Sequence, residues 1–227
     1  MSWVRAPSFA PSDIIKESCK SRLFLFAIVK RMDIKIALTT IAVIMTVVSY
    51  FYYFRDIFAG RTKPHAFTWL VWMALTAIAF AGQLSDNGGP GAYITGLTAI
   101  VSLIIFFLAL FKGEKEIAQS DWLSLAGAAI ALLLWFTTSS PLLSIILITL
   151  VDFLGFVPTI RKSIRKPHEE TLITYFLSGL KFLLAIIALE NYSVITVLYP
   201  ASLVFANLLF VALLISKRRK ILAKETF

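Results

Sequence analysis

Seven apolar stretches follow one another along this chain and are separated by short polar turns. They cover residues 34–54, 66–84, 92–111, 122–138, 142–160, 171–189 and 194–216. Each stretch is close to the ~20 residues with which an α-helix crosses a ~30 Å hydrocarbon layer. The turns contain residues that interrupt helices, most clearly the Asp-Asn-Gly-Gly-Pro-Gly segment at 86–91. The pattern therefore predicts an all-α membrane protein with seven transmembrane helices.

The composition agrees with this prediction and excludes a water-soluble domain. Apolar residues make up 59% of the 227 residues and charged residues only 15%, which is too little polar surface for a soluble fold. The 22 basic residues outnumber the 13 acidic ones, but they lie mostly in turns, so we expect a lipid bilayer and not nucleic acid as the partner. The single Cys19 permits no internal disulfide, and no Cys-His cluster predicts a metal site.

Basic residues are distributed unevenly between the turns. The turns after spans one, three and five and the tail after span seven contain Lys and Arg, whereas the turns after spans two, four and six contain none. By the positive-inside rule this predicts a multi-pass protein of the cell membrane with its N-terminus outside and its C-terminus, including a basic tail at 218–227, in the cytoplasm. The basic residues within 1–32 oppose this orientation. We expect that segment to be a disordered or interfacial extension, or to precede the true start.

A basic turn occurs twice, each time between two apolar spans. The first copy covers residues 52–70 and the second 158–173, and both have an Arg at the end of one span and a Lys-Pro-His before the next. The duplication predicts two three-helix repeats, 33–111 and 141–217, joined by a linker helix within 112–140. Because one linker helix separates them, the repeats are expected to be parallel and related by an axis along the membrane normal.

This 3+1+3 order of spans resembles the SWEET and PQ-loop transporter superfamily. The segment GFVPTIRKS at 155–163 is similar to the Pro-Gln stretch of that family, with Thr159 in place of Gln. Trp69 and Trp72, spaced as Trp-x-x-Trp, are similar to a motif of the Pnu-type vitamin transporters. The resemblance implies movement of a small polar solute by rocking of two triple-helix bundles. It also implies a substrate-binding role for Asn207 in span seven, with Ser102 at the partner position in span three.

Two charged side chains, Asp152 and Lys181, fall within the predicted spans. At 1.5 Å per residue both lie roughly 13–15 Å from the basic turns, and Asn207 and Ser102 reach the same depth. Intramembrane charges usually face the interior of a bundle or a water-filled cavity. We therefore expect Asp152 and Lys181 to pair, either within a substrate site near the midplane or as an ion pair that only fixes packing.

Aromatic and polar residues at helical spacing extend this predicted site. We expect Trp72 to contact the solute. The residues expected to line its path are Trp69, Thr76, Thr174, Ser178 and Tyr199. For the two Trp residues the alternative is an aromatic belt at the membrane surface, which is favoured for Trp69. Pro158 is expected to be a hinge in span five or, alternatively, a helix terminator.

The function expected from these residues is transport of a sugar-, amino-acid- or vitamin-like solute by alternating access, with a homo-oligomer possible. The alternative is a non-transporting seven-helix receptor or assembly factor. A buried Lys and Asp would also suit a retinal protein, but the Lys lies in span six and not in the last span, so we expect no cofactor. Motifs of intramembrane or ATP-using enzymes are missing from the sequence, and we expect no enzymatic activity.

Overall fold

A computed structural model describes residues 11–137 and 140–225 of the chain. The described residues form seven α-helices and two single-turn 3₁₀ helices, and they contain no strand. The α-helices are α1 (Pro11–Phe58), α2 (Ala66–Ser85), α3 (Ala92–Lys112), α4 (Gln119–Thr137), α5 (Pro141–Arg165), α6 (Leu172–Ala188) and α7 (Val194–Glu225). Each predicted span falls on one of these helices; the ends agree to within about five residues for spans two to six, whereas α1 and α7 extend well beyond spans one and seven. The all-helical fold class is confirmed.

Five helices within the described residues are long and apolar enough to cross a membrane. The segments are Asp33–Phe58, Ala66–Ser85, Gly89–Lys112, Leu142–Arg165 and Val194–Leu222. Helix α6 is apolar but shorter, with 17 residues. Large apolar side chains such as Phe51 and Phe111, which are 64% and 79% exposed, cover the outer surface. Exposure of so many large apolar side chains to water would be unfavourable, so the protein is membrane-embedded.

The first helix is much longer than the predicted first span. It begins at Pro11 and runs to Phe58 without a break, whereas the sequence predicted a disordered or interfacial extension up to residue 32. The disordered alternative is wrong for the backbone of residues 11–32, while the interfacial alternative and a true start after this segment stay predictions. Pro11 is suited to the first position of a helix, and no Gly or Pro follows it until Gly60, so nothing in this stretch ends the helix.

The turn between α2 and α3 shows why its residues are small or tolerant of unusual backbone angles. Asn87 and Gly89 have φ values of 53° and 67°, in the left-handed region. A side chain on Gly89 would also meet Glu190, which lies in the turn between α6 and α7. The turn therefore brings the end of α2 against the start of α7.

The helices pack in a definite order around a common centre. Helix α3 packs against both α1 and α2, and α7 packs against both α5 and α6. Between these two groups, α1 packs against α6 and α2 packs against α5, while α4 packs chiefly against α5. Buried apolar side chains form two clusters, one of which is mostly aromatic and includes Tyr53, Trp69 and Phe210.

The turns after α1, α3 and α5 meet at one end of the molecule, here called the basic end. The backbone N–H of Glu114 donates to the carbonyl of Pro64 at 3.0 Å and thereby joins two of these turns. Arg218 of α7 donates to the carbonyls of Pro167 and Glu170 in the third turn. The end where α2 joins α3 and α6 joins α7 is called the opposite end.

Candidate functional site: an enclosed central cavity

Six of the seven helices contribute side chains to one central cavity, which holds about 40 Å³ of water-accessible volume within about 430 Å³ of space between atoms that includes open solvent. All the lining residues are buried. Eight of them were predicted from the sequence, namely Trp69, Trp72, Thr76, Ser102, Thr174, Ser178, Tyr199 and Asn207. The sequence reasoning missed the others, which are Tyr50, Thr98, Phe156, Tyr175, Phe182 and Leu203. No described side chain of α4 reaches the cavity.

The two predicted charged residues lie directly behind the cavity wall. Lys181 is fully buried, and its ammonium donates to the hydroxyl of Thr98 at 3.0 Å and to that of Tyr50 at 3.4 Å. The same Lys181 Nζ lies 4.7 Å from the centre of the Tyr50 ring, a distance at which a cation is attracted to an aromatic face. Because Thr98 and Tyr50 both line the cavity, they separate the charge of Lys181 from the cavity itself.

Asp152 has a similar position on the other side of the site. It is fully buried, its Oδ1 accepts a hydrogen bond from the hydroxyl of Tyr199 at 3.4 Å, and its Oδ2 has no partner among the described residues. The expected pairing of Asp152 with Lys181 is wrong, because no ion pair joins them among the described residues. Their depth along the chain is similar, but Lys181 is directed to hydroxyls of α1 and α3, whereas Asp152 accepts from the hydroxyl of Tyr199 in α7.

Two polar groups of the lining have no hydrogen-bond partner among the described residues. They are Nε1 of Trp72, which is 8% exposed, and the hydroxyl of Ser102, which is 1% exposed. Buried polar groups are rarely left unpaired, because an unmet group costs roughly 1–3 kcal/mol. Buried groups outside the cavity, such as the Ser163 hydroxyl, are also unpaired, so the Trp72 N–H and the Ser102 hydroxyl are candidates for hydrogen bonds with a ligand because they belong to cavity-lining residues.

Aromatic rings form the part of the cavity nearer the basic end. The ring of Trp72 lies 5.0 Å from that of Trp69 and 4.7 Å from that of Phe156, measured between ring centres. The ring centre of Trp69 is 6.4 Å from that of Tyr50. Trp69 is only 3% exposed, so both Trp side chains face the interior and neither belongs to an aromatic belt at the membrane surface.

Pro158 lies inside α5, which continues beyond it to Arg165. The alternative that Pro158 terminates this helix is therefore wrong. A Pro within a helix removes one backbone hydrogen bond, so α5 has a weak point here. The next residue, Thr159, donates to the hydroxyl of Thr68 in α2 at 3.1 Å, close to the aromatic part of the cavity. Pro158 does not line the cavity, and its role as a hinge stays a prediction.

Ionic and hydroxyl contacts close the basic end between the two groups of helices. Lys63 in the α1–α2 turn pairs with Glu169 in the α5–α6 turn at 3.0 Å. Thr171 donates to Asp56 of α1 at 2.9 Å. Lys162 of α5 donates to the carbonyl of Lys63 in the other group and forms a buried ion pair with Glu170 of its own group. The sequence reasoning counted basic residues in these turns and did not consider their acidic neighbours as partners.

A second cluster at the basic end joins α2, α4 and α5. Asp121 of α4 accepts two hydrogen bonds from Arg161, at 2.7 and 3.2 Å, and lies 3.1 Å from Nε2 of His65. Burial alone would raise the pKa of Asp121, but its hydrogen bonds from Arg161 and the Ala118 amide hold that pKa below its usual range. Burial lowers the pKa of His65. The carboxylate of Asp121 therefore connects α4 to both groups of helices, through His65 at the start of α2 and Arg161 of α5.

The opposite end is closed by hydrogen bonds. Gln83 at the end of α2 donates to the carbonyl of Thr196 in α7 at 3.1 Å. Asn191 donates to the carbonyl of Asp86 at 3.1 Å, and the amide of Glu190 donates to the carbonyl of Gly88 at 3.1 Å. The cavity thus lies between two layers of contacts that both bridge the two groups of helices.

Comparison of the chain with protein-family models, with curated proteins and with solved structures gives no significant match.

Proposed function

We propose that this protein is a membrane transporter that moves a small polar solute by alternating access. The observation that carries the proposal is the enclosed central cavity, which is lined by both groups of helices and contains two unpaired polar groups. A cavity of this kind, reached in turn from the two sides of a membrane, is the arrangement found in transporters built from two repeats. The proposal agrees with the resemblance to the SWEET and PQ-loop superfamily.

Helix packing supports the two-repeat organisation that the proposal requires. If α1, α2 and α3 are exchanged for α5, α6 and α7, each contact described above between these six helices has a counterpart. The α1–α3 contact corresponds to α5–α7, the α2–α3 contact to α6–α7, and the α1–α6 contact to α5–α2. In this scheme α4 is the linker helix, and all seven helices cross the membrane.

The cavity lining supports the same exchange residue by residue. Most lining residues form pairs that are 105 or 106 positions apart in the sequence, one member in each group of helices. The pairs are Tyr50 with Phe156, Trp69 with Tyr175, Trp72 with Ser178, Thr76 with Phe182, Thr98 with Leu203 and Ser102 with Asn207. Such a relation is expected when a site is formed at the seam between two copies of one unit.

In this proposal the basic end faces the cytoplasm, as the positive-inside rule requires. The C-terminus is then cytoplasmic and the N-terminus lies outside. The described state is closed at both ends. Opening to the cytoplasm would break the contacts of Lys63 and Thr171 with their partners in the other bundle, and opening to the outside would break those of Gln83 and Asn191.

The five residues predicted to bind the substrate each have a proposed role. Ser102, Asn207 and Trp72 contact the solute. Lys181 and Asp152 act from behind the wall, where their charges fix the cavity hydroxyls of Thr98 and Tyr199. A change in the charge of either residue would therefore change the cavity surface without direct contact with the solute.

Uptake into proteoliposomes tests this proposal. Purified protein would be screened with labelled sugars, amino acids, vitamins and nucleobases, and the solute with the highest protein-dependent uptake would then be measured with variants. Ser102→Ala should reduce uptake of that solute several-fold. Thr149→Ala should leave it unchanged, because the Thr149 hydroxyl bonds to its own helix at Ile145 and lies outside the cavity. Equal uptake by protein-free liposomes for every solute would contradict the proposal.

A further inference from the structure

The cavity contains no charged side chain among its lining residues. The nearest buried charges, Lys181 and Asp152, are reached only through the hydroxyls of Thr98, Tyr50 and Tyr199. A charged solute would lose its hydration on entry and find no direct counter-charge, which is strongly unfavourable. The lining therefore favours an uncharged solute.

Aromatic side chains provide half of the lining. They are Tyr50, Trp69, Trp72, Phe156, Tyr175, Phe182 and Tyr199. Rings at these positions offer faces and edges against which a flat ring can pack. Because the aromatic residues come from five helices, such a ring would meet aromatic surface on several sides.

The polar groups that remain available in the cavity are few. The hydroxyls of Thr76, Thr98 and Thr174 already donate to backbone carbonyls. The Asn207 amide nitrogen donates to the carbonyl of Leu203, and no hydrogen bond to its Oδ1 is seen among the described residues. The fully buried unpaired groups of the lining are the Trp72 N–H and the Ser102 hydroxyl.

This supply of polar groups is too small for a sugar. A hexose carries five hydroxyl groups, each a donor and an acceptor, and most of them would stay unpaired between aromatic rings. Each unmet group would weaken binding by roughly 5- to 150-fold. A flat ring with one or two acceptor atoms would instead satisfy the Trp72 N–H and the Ser102 hydroxyl and leave little unpaired.

We propose that the cavity takes an uncharged, planar heterocyclic or aromatic amide molecule with one or two hydrogen-bond acceptors, and not a sugar. This inference rests on the proposed transport function and narrows its substrate class. The Trp72 N–H and the Ser102 hydroxyl are the groups that recognise the acceptors, and the surrounding rings recognise the flat shape.

Binding of matched small molecules to the purified protein in detergent tests the inference. Uracil and benzamide are neutral rings with acceptors, and orotate and benzoate are their negatively charged counterparts. Glucose represents the sugars. Isothermal titration calorimetry should show binding of uracil or benzamide at least about 100-fold tighter than that of its charged counterpart. Glucose should show no binding.

Two variants locate this binding in the cavity. Trp72→Phe keeps a ring and removes the N–H, and Ser102→Ala removes the hydroxyl. Each should weaken binding of the neutral ligand by about fivefold, and the second serves as the test if the first fails to fold. Trp122→Phe is the control and should bind normally, because Trp122 lies on the outer face of α4 and is 58% exposed.

The possible failures of this inference and of the transport proposal are distinguishable. Binding of glucose, orotate or benzoate that Trp72→Phe weakens would overturn the substrate class and leave transport standing. Failure of every one of these molecules to bind, or equal binding by the variants and the control, would also overturn the substrate class. Binding of uracil or benzamide without any protein-dependent uptake would support the substrate class and contradict transport.

Discussion

The hydroxyl of Ser102 distinguishes a ligand site from ordinary packing. It lines the cavity and has no partner among the described residues. We expect Ser102→Ala to leave the thermal unfolding midpoint unchanged or to raise it, because the substitution removes an unmet polar group that costs roughly 1–3 kcal/mol. Solute uptake should fall in the same variant.

Thr98, one turn away on α3, is the matched control. Its hydroxyl accepts a hydrogen bond from the buried Lys181, so Thr98→Val should lower the free energy of unfolding by roughly 1–3 kcal/mol. A loss of stability in Ser102→Ala as large as that in Thr98→Val would contradict the account, because it would show that the Ser102 hydroxyl is needed by the fold itself.

The charge of Lys181 either only fixes helix packing or is needed for transport, and these two alternatives predict different results for a substitution at this residue. We expect Lys181→Met to insert and fold, because Met keeps most of the length of the side chain and removes a charge that is costly to bury. Transport should be lost, since the hydroxyls of Thr98 and Tyr50 would no longer be held by the ammonium. Uptake assays would compare it with Lys112→Met at the exposed end of α3, and a normal rate in Lys181→Met would refute the role.

Individual site residues could be predicted from the sequence where the residue type is unusual for an apolar span. Ser102, Asn207 and Trp72 were found because a polar or amphipathic side chain within an apolar span needs an interior position. Phe156 and Phe182 were missed because an apolar ring looks the same in sequence whether it faces lipid or a cavity. The direction of a side chain around its helix axis depends on the neighbouring helices, and this is also why the Asp152–Lys181 pair was predicted wrongly.

At the scale of elements, His65 joins α2 to α4 and gives the fold a pH dependence. Burial keeps the pKa of His65 below its usual value of 6.5, so the unfolded chain binds a proton that the folded protein does not. Stability should therefore be fully present above pH 6.5 and should fall as the pH is lowered through and below that value. Thermal unfolding between pH 7.5 and 5.5 would measure this fall.

The second histidine of the chain provides the control for this prediction. His168 is exposed, so His168→Gln should retain the fall in stability, whereas His65→Gln should reduce it. The same fall in both variants would show that His65 is not its source. The cluster of His65 with Asp121 and Arg161 could not be predicted from the sequence, because Asp121 lies 56 positions after His65 and 40 before Arg161, in three separate elements.

The helices themselves were predictable because their apolar stretches are long and their turns contain Gly, Pro or clustered charge. The extension of α1 to Pro11 was not predicted, because basic and acidic residues within 12–33 make that stretch resemble a solvated tail. Charge alone does not end a helix, and only Gly or Pro would have done so here.

At the scale of the whole molecule, the buried pair of Lys162 and Glu170 helps to close the basic end. Both side chains are almost fully buried, with exposed fractions of 2% and 1%. Removal of one partner leaves the other charge uncompensated, so Glu170→Gln should lower the free energy of unfolding by roughly 3–5 kcal/mol. Denaturation in detergent would measure this effect.

Glu116 is the control for that measurement. It pairs with Lys166 at the same end, but its side chain is 63% exposed, and an exposed pair contributes at most about 1 kcal/mol. Equal losses of stability in Glu116→Gln and Glu170→Gln would contradict the view that the buried pair is a main contact of the closed basic end.

The central claim is that the cavity at the seam of the two helix groups opens in turn to both sides of the membrane. Accessibility of a cysteine at Ser102 tests it without a known solute. In a Cys19→Ser background, Ser102→Cys would be exposed to a membrane-impermeant thiol reagent from either side of oriented vesicles. Ile105→Cys, which lies on the same helix and is buried outside the cavity, is the control.

The account predicts that Ser102→Cys is labelled from both sides and that Ile105→Cys is labelled from neither. A disulfide between cysteines introduced at Lys63 and Glu169 should block labelling from the basic side only, because it locks the contact that closes that end. Labelling of Ser102→Cys from one side alone, as expected for a receptor, or from neither side would contradict alternating access.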